Sequence, residues 1–124
     1  MDEPTGPVEQ ISAVTLLTAD MAASVAFYHA AGFELGYGGA DAEFTSFRVG
    51  SGFLNLALDP SHPQVGAVWG RVIFWVADVD DQHRRMIEAG YRPTTSPADA
   101  SWGERYFHVR DPDGHEISFA RPLR

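Results

Sequence analysis

Residues 101–121 read SWGERYFHVRDPDGHEISFAR, and this stretch decides the fold. Asp111-Pro112-Asp113-Gly114 carries turn chemistry throughout: Asp suits the first position of a type I turn, Pro pre-sets φ at the second, and Gly takes the left-handed conformation of a G1 bulge. A three-residue loop of this kind pairs Asp111 with His115. Arg110 then lies opposite Glu116, Val109 opposite Ile117, His108 opposite Ser118 and Phe107 opposite Phe119. Opposed residues share a face of the sheet. Phe107, Val109, Ile117 and Phe119 therefore form an apolar face suited to a helix. Tyr106, His108, Arg110, Glu116 and Ser118 form a polar and aromatic face suited to solvent or a ligand, and the hairpin is read as closing a ligand-binding cleft.

Working outward, the pattern before the hairpin occurs twice. Residues 11–18 alternate as a strand with Val14 and Leu16 on one face. Asp20 caps a helix whose buried face carries Met21, Val25 and Tyr28, and Gly32 ends it. Residues 33–37, 44–49 and 53–58 read as short strands. The cycle restarts with a strand at 71–76, Asp78 as cap, Val79 and Met86 as the buried helix face, Gly90 as terminator, and a strand at 91–93. An offset of 58 positions maps Ala77-Asp78-Val79 onto Ala19-Asp20-Met21 and Ala89-Gly90-Tyr91 onto Ala31-Gly32-Phe33. Two βαβββ modules follow.

The expected fold is α+β, with the modules forming a curved mixed sheet around a cleft and helices on the outer face. One domain spans residues 1–124: module one at about 8–58, a linker at 59–70, and module two at about 71–121. Strand parity directs Ala13, Thr15 and Leu17, then Phe53, Asn55 and Ala57, then Arg71, Ile73 and Trp75 into the cleft. The hairpin adds Tyr106, His108 and Ser118.

Composition narrows the partners. Seventeen acidic residues against nine basic ones give a formal net charge of −8, which disfavours nucleic acid and anionic membranes and favours a cationic ligand. The absence of cysteine excludes disulfides and thiolate chemistry and leaves metal binding to His, Asp and Glu. No apolar run approaches a membrane span, and residues 1–10 lack the form of a signal peptide. The expected location is cytoplasmic.

The paired pattern, with ADMAASVAFYHAAGFE at 19–34, VADVDDQHRRMIEAGYRP at 76–93 and WGERYFHVRDPDGHEISF at 102–119, resembles the vicinal oxygen chelate superfamily. That superfamily includes glyoxalase I, extradiol dioxygenases, fosfomycin-modifying enzymes and bleomycin-resistance proteins. The resemblance implies metal ligands, usually His, Glu or Gln, at four cleft positions. Here those positions fall at Ala13 in ISAVTLL, Asn55 in FLNLAL, Arg71 in RVIFWV and Ser118 in HEISFA. Ala has no lone pair, Arg carries a permanent positive charge, and Ser and Asn are weak donors to the metals concerned. The usual metal centre is therefore expected to be absent, with no cofactor and no catalytic residue assigned.

An aromatic-walled cleft then remains, suited to planar or cationic organic ligands. ISAVTLLTADM, the Trp75-Val76 pair and SWGERYF are similar to the bleomycin-resistance branch, whose members sequester a drug without transforming it, as homodimers with crevices between subunits. The expected function is sequestration of an aromatic, cationic antibiotic or natural product by a homodimer, with Phe53, Asn55, Arg71, Trp75, Trp102, Tyr106, His108 and Ser118 binding it. Two other readings stay open: an enzyme of the same fold, such as a lyase, isomerase or dioxygenase, and a structural or regulatory dimer with a vestigial cleft.

Single residues carry alternatives too. His108 is a ligand contact ahead of a general base. Arg71 either meets an acidic ligand group or pairs with Glu116. Trp102 is a stacking plate or a loop plug, and the resemblance favours stacking. Trp69 and Trp75 serve ligand, dimer or core. His115 reads as a rim residue, His83 as core-edge, and His29 and His62 as surface and linker. Asp78, Asp80 and Asp81 are a cap with acids favoured by the helix dipole, not a calcium loop.

Overall fold

Asp20 and Asp78 start the two helices by the same bond. The Asp20 carboxylate accepts from the Ala23 backbone N–H at 3.0 Å, and that of Asp78 from the Asp81 N–H at 3.0 Å, satisfying donors that the first turn leaves unpaired. The helices also end alike. Gly32 and Gly90 both take φ +98°. Phe33 N–H then bonds the Tyr28 carbonyl and Tyr91 N–H the Met86 carbonyl, each at 3.0 Å, which is the Schellman closure. The repeat seen in sequence is thus a repeat of hydrogen bonds.

The computed structural model describes residues 6–124. Its elements run β1 (Ala13–Thr18), α1 (Met21–Ala30), β2 (Glu34–Tyr37), β3 (Phe44–Val49), β4 (Gly52–Leu58), β5 (Arg71–Trp75), α2 (Val79–Glu88), β6 (Ala98–Asp99), β7 (Glu104–Arg110) and β8 (Glu116–Pro122). They form two four-stranded mixed sheets, ordered β1-β4-β3-β2 and β5-β8-β7-β6. In each, the first strand pairs in parallel with the last of its module and the rest are antiparallel. The fold is α+β, built of two βαβββ modules.

The hairpin has the register expected of it, from Arg110 opposite Glu116 to Phe107 opposite Phe119. Gly114 stands at φ +91°. One expected strand is missing. Residues 91–93 do not pair, because the Tyr91 N–H is spent on closing α2, its ring packs on Phe27 at 4.9 Å, and Pro93 has no N–H to give. The chain reaches β7 only at Thr94, whose N–H bonds the His108 carbonyl at 2.9 Å. Ala98 and Asp99 then supply the fourth strand.

Leu16, Phe47, Leu54, Leu56, Phe74, Phe107, Val109, Ile117 and Phe119 are buried, as pleat parity requires. The cores of the two modules merge. Phe33 meets Phe74 edge-on at 4.8 Å, and the Gln82 amide donates to the Ala31 carbonyl at 2.8 Å. α1 therefore buries more than one stripe. Phe27 and Ser24 are buried beside the expected Met21 and Tyr28, while Val25 is only half-buried.

The hairpin turn fastens the modules together. Asp113 accepts from the Ala19 N–H at 2.9 Å and the Ser24 hydroxyl at 3.0 Å, and Tyr28 donates its hydroxyl to Asp111 at 2.8 Å. His115 is not a rim residue: it is buried, bonded through Nε2 to the Leu17 carbonyl at 2.9 Å and accepting the Trp69 indole N–H on Nδ1 at 3.1 Å. The linker crosses the same turn, with Val65 N–H on the Asp113 carbonyl at 2.8 Å. The strands of the hairpin, rather than its tip, carry the candidate ligand face.

Candidate functional site

The outward face of β5, β8 and β7 is concave. Register sets its residues side by side: Ile73 opposite Ser118, Ser118 opposite His108, and Tyr106 opposite Ala120. A hollow of about 300 Å³ forms there, lined by Arg71, Ile73, Trp102, Glu104, Tyr106, His108, Ser118 and Ala120. Five expected ligand residues meet in it: Arg71, Trp102, Tyr106, His108 and Ser118. Three do not. Phe53 lines a separate hollow of about 250 Å³ at the seam between β1, β4 and β5, next to Ala13 and Ile73. Asn55 lies on the outward face of β4, its amide donating to Thr15 Oγ1 at 3.2 Å. Trp75 stands beyond the hollow and is 65% exposed. A larger depression of about 520 Å³ runs along α2, walled by flexible surface chains such as Arg84, Arg85 and Glu88. It shares no residue with the sheet face.

Charge on this face is placed at the two ends of the β7–β8 hairpin. Arg71 Nε donates to Glu116 Oε2 at 2.5 Å, so Arg71 is the partner of a buried carboxylate. Glu104 sits at the other end. Its Oε1 accepts the Trp102 indole N–H at 3.1 Å and its Oε2 the Trp75 indole N–H at 3.3 Å. Trp102 is 71% exposed, and its ring stacks on Tyr106 at 25° with centroids 6.0 Å apart. Burial pushes the His108 imidazole below its ordinary pKa; Glu116 opposes that shift and Arg71 adds to it. His108 is therefore neutral at pH 7. Glu104 escaped the sequence reading, although it shares parity with Tyr106 and His108 and so was bound to face the same way.

A family model described as the glyoxalase/bleomycin resistance protein/dioxygenase superfamily matches residues 10–119. The chain belongs to this superfamily. An uncharacterized protein of Mycobacterium bovis is 43% identical over 49 residues, a stretch covering 40% of this chain and 32% of that protein. The chain thus spans under a third of that relative's length. Among solved structures, a bleomycin-binding protein complexed with bleomycin has a TM-score of 0.70 at 21% identity, over 92% of this chain and 98% of that one. A lactoylglutathione lyase from Agrobacterium tumefaciens has a TM-score of 0.73 at 22% identity, over 92% and 94%. Both share the fold.

The superfamily's metal positions can be tested against the side chains that fill them. Ala13 offers no donor, Arg71 is committed to Glu116, Ser118 directs its hydroxyl at the Phe107 carbonyl at 3.4 Å, and Asn55 donates to Thr15. This set does not fit the superfamily's metal centre. Asp111, Asp113 and His115 place possible ligand atoms within 4.8 Å of one another, but their bonds hold them elsewhere. Asp111 takes Tyr28 and the N–H groups of Asp113 and His115, Asp113 takes Ala19 and Ser24, and both His115 nitrogens are used. The trio is a structural knot.

Proposed function

We propose that the protein is a metal-free binder that sequesters a small aromatic, cationic compound, an antibiotic or related natural product, without transforming it. The observation that carries this reading is the pairing of a hollow walled by Trp102, Tyr106 and Glu104 with metal positions filled by Ala13, Asn55, Arg71 and Ser118. Stacking surface and an uncancelled carboxylate are what such a ligand needs, and no Lewis acid is required. The fold shared with a bleomycin-binding protein supports the same choice.

The working unit in this proposal is a homodimer. Leu17, Phe53, Ile73 and Trp75 are 41–65% exposed on the outward sheet faces, more apolar surface than one chain needs to leave bare. A second copy facing the hollow would add Phe53 and Asn55 to its wall. Isothermal titration with bleomycin-type glycopeptides and other basic, planar antibiotics tests the proposal. Saturable binding by protein treated with chelator is expected. Failure of every compound, together with turnover of a glutathione adduct or a catechol, would refute it and favour the enzyme reading, for which the neutral imidazole of His108 is the available base.

A further inference from the structure

Among the described residues, no arginine or histidine nitrogen lies within salt-bridge distance of Glu104, whereas Glu116 on the same face is cancelled by Arg71. Glu104 is held instead by two neutral indole N–H groups, from Trp75 on β5 and Trp102 ahead of β7. Neutral donors fix a carboxylate without removing its charge. Each bond occupies one acceptor position, leaving about two of the carboxylate's four for a ligand. The carboxylate therefore meets the edge of Trp102, whose ring stacks on Tyr106, and both rings line the hollow together with Ile73 and Ala120.

That combination selects among cations. A divalent metal ion needs several oxygen ligands, and this corner offers one carboxylate. A guanidinium fork wants both carboxylate oxygens in-plane, where the two indoles already compete. An alkyl-substituted ammonium needs few acceptors and gains from ring faces and a counter-charge. The geometry points to an alkylammonium subsite, in which an N-alkylated ammonium group of the ligand rests against Glu104 and over Trp102 and Tyr106. This rests on the small-molecule-binding reading above and adds the chemistry of one end of the ligand. Trp102 is the contact surface, while Trp75 acts as a positioning residue through Glu104.

The test uses choline and its uncharged isostere, in which carbon replaces nitrogen, titrated into the intact protein with tryptophan fluorescence as readout. Choline is expected to bind saturably, and its isostere roughly tenfold more weakly, the combined worth of one exposed cation–π contact and one exposed ion pair. Glu104→Gln should lower choline affinity by about threefold and leave that of the isostere unchanged, and Trp102→Leu should weaken both. Circular dichroism confirms that each variant is folded. Equal binding of choline and isostere, no binding of choline, or an unaltered choline affinity in Glu104→Gln overturns the subsite. A parallel titration with bleomycin and the other basic, planar antibiotics separates the two claims: any of them bound and choline ignored sinks the subsite alone, whereas failure of them all, with turnover of a glutathione adduct or a catechol, sinks the reading beneath it.

Discussion

At the scale of single residues, Gly114 shows how tightly the hairpin turn is built in. A Cβ there would lie 2.4 Å from the Val65 carbonyl oxygen at φ +91°, whereas one at Gly90, with φ +98°, would meet nothing within 4 Å. Gly114→Ala is expected to cost about 2–4 kcal/mol, from left-handed strain plus loss of the linker's bond to the turn, and Gly90→Ala about 1 kcal/mol. Urea denaturation of both variants checks the difference. Beneath the turn, burial foremost, and then the Asp111 carboxylate, push the Tyr28 hydroxyl well above its ordinary pKa. An unfolded tyrosine ionises near pH 10, so the unfolded chain sheds this proton first. The corresponding stability is complete below about pH 10 and is lost as pH rises towards the higher folded value. Tyr28→Phe should flatten the decline in denaturation midpoint between pH 9 and 11, even though it lowers stability at pH 7. The turn's sequence made its register legible, but nothing in DPDGH says that its carboxylates are answered by Ala19, Ser24 and Tyr28, some ninety positions earlier. That is why His115, which looks like a polar residue after a turn, proves to be buried.

At the scale of elements, the helices were legible because their limits are set locally. Asp caps, Gly terminators and the apolar spacing lie in adjacent residues, and the bonds they form are the ones that spacing demands. Asp78→Ala should destabilise the protein by about 1 kcal/mol, the worth of an exposed N-cap. Asp78→Asn or Asp78→Ser should restore most of it, as read by thermal melting. The strand at 91–93 failed for local and non-local reasons together: the Tyr91 N–H closes α2, Pro93 has none, and the Tyr91 ring packs on Phe27 of the other module. Phe27 was itself overlooked for the same cause, since a single-stripe helix pattern does not anticipate a second buried side supplied by a distant segment.

At the scale of the molecule, parity along each strand placed Arg71, Tyr106, His108 and Ser118 on one wall, and the hollow gathers them. Parity says which face a side chain takes, not which faces approach one another. Among the described residues, Phe53 accordingly lines a different hollow and Asn55 bonds to Thr15, apart from Arg71, Tyr106, His108 and Ser118. The proposed binding by this face, through stacking and uncancelled carboxylate charge, requires no ion at the superfamily's metal positions. Elemental analysis of the protein after incubation with zinc, nickel, iron and manganese and desalting tests it most directly. Far less than one ion per chain is expected, unchanged by Asn55→Ala or Ser118→Ala. Retention of one ion per chain that either substitution abolishes would contradict it.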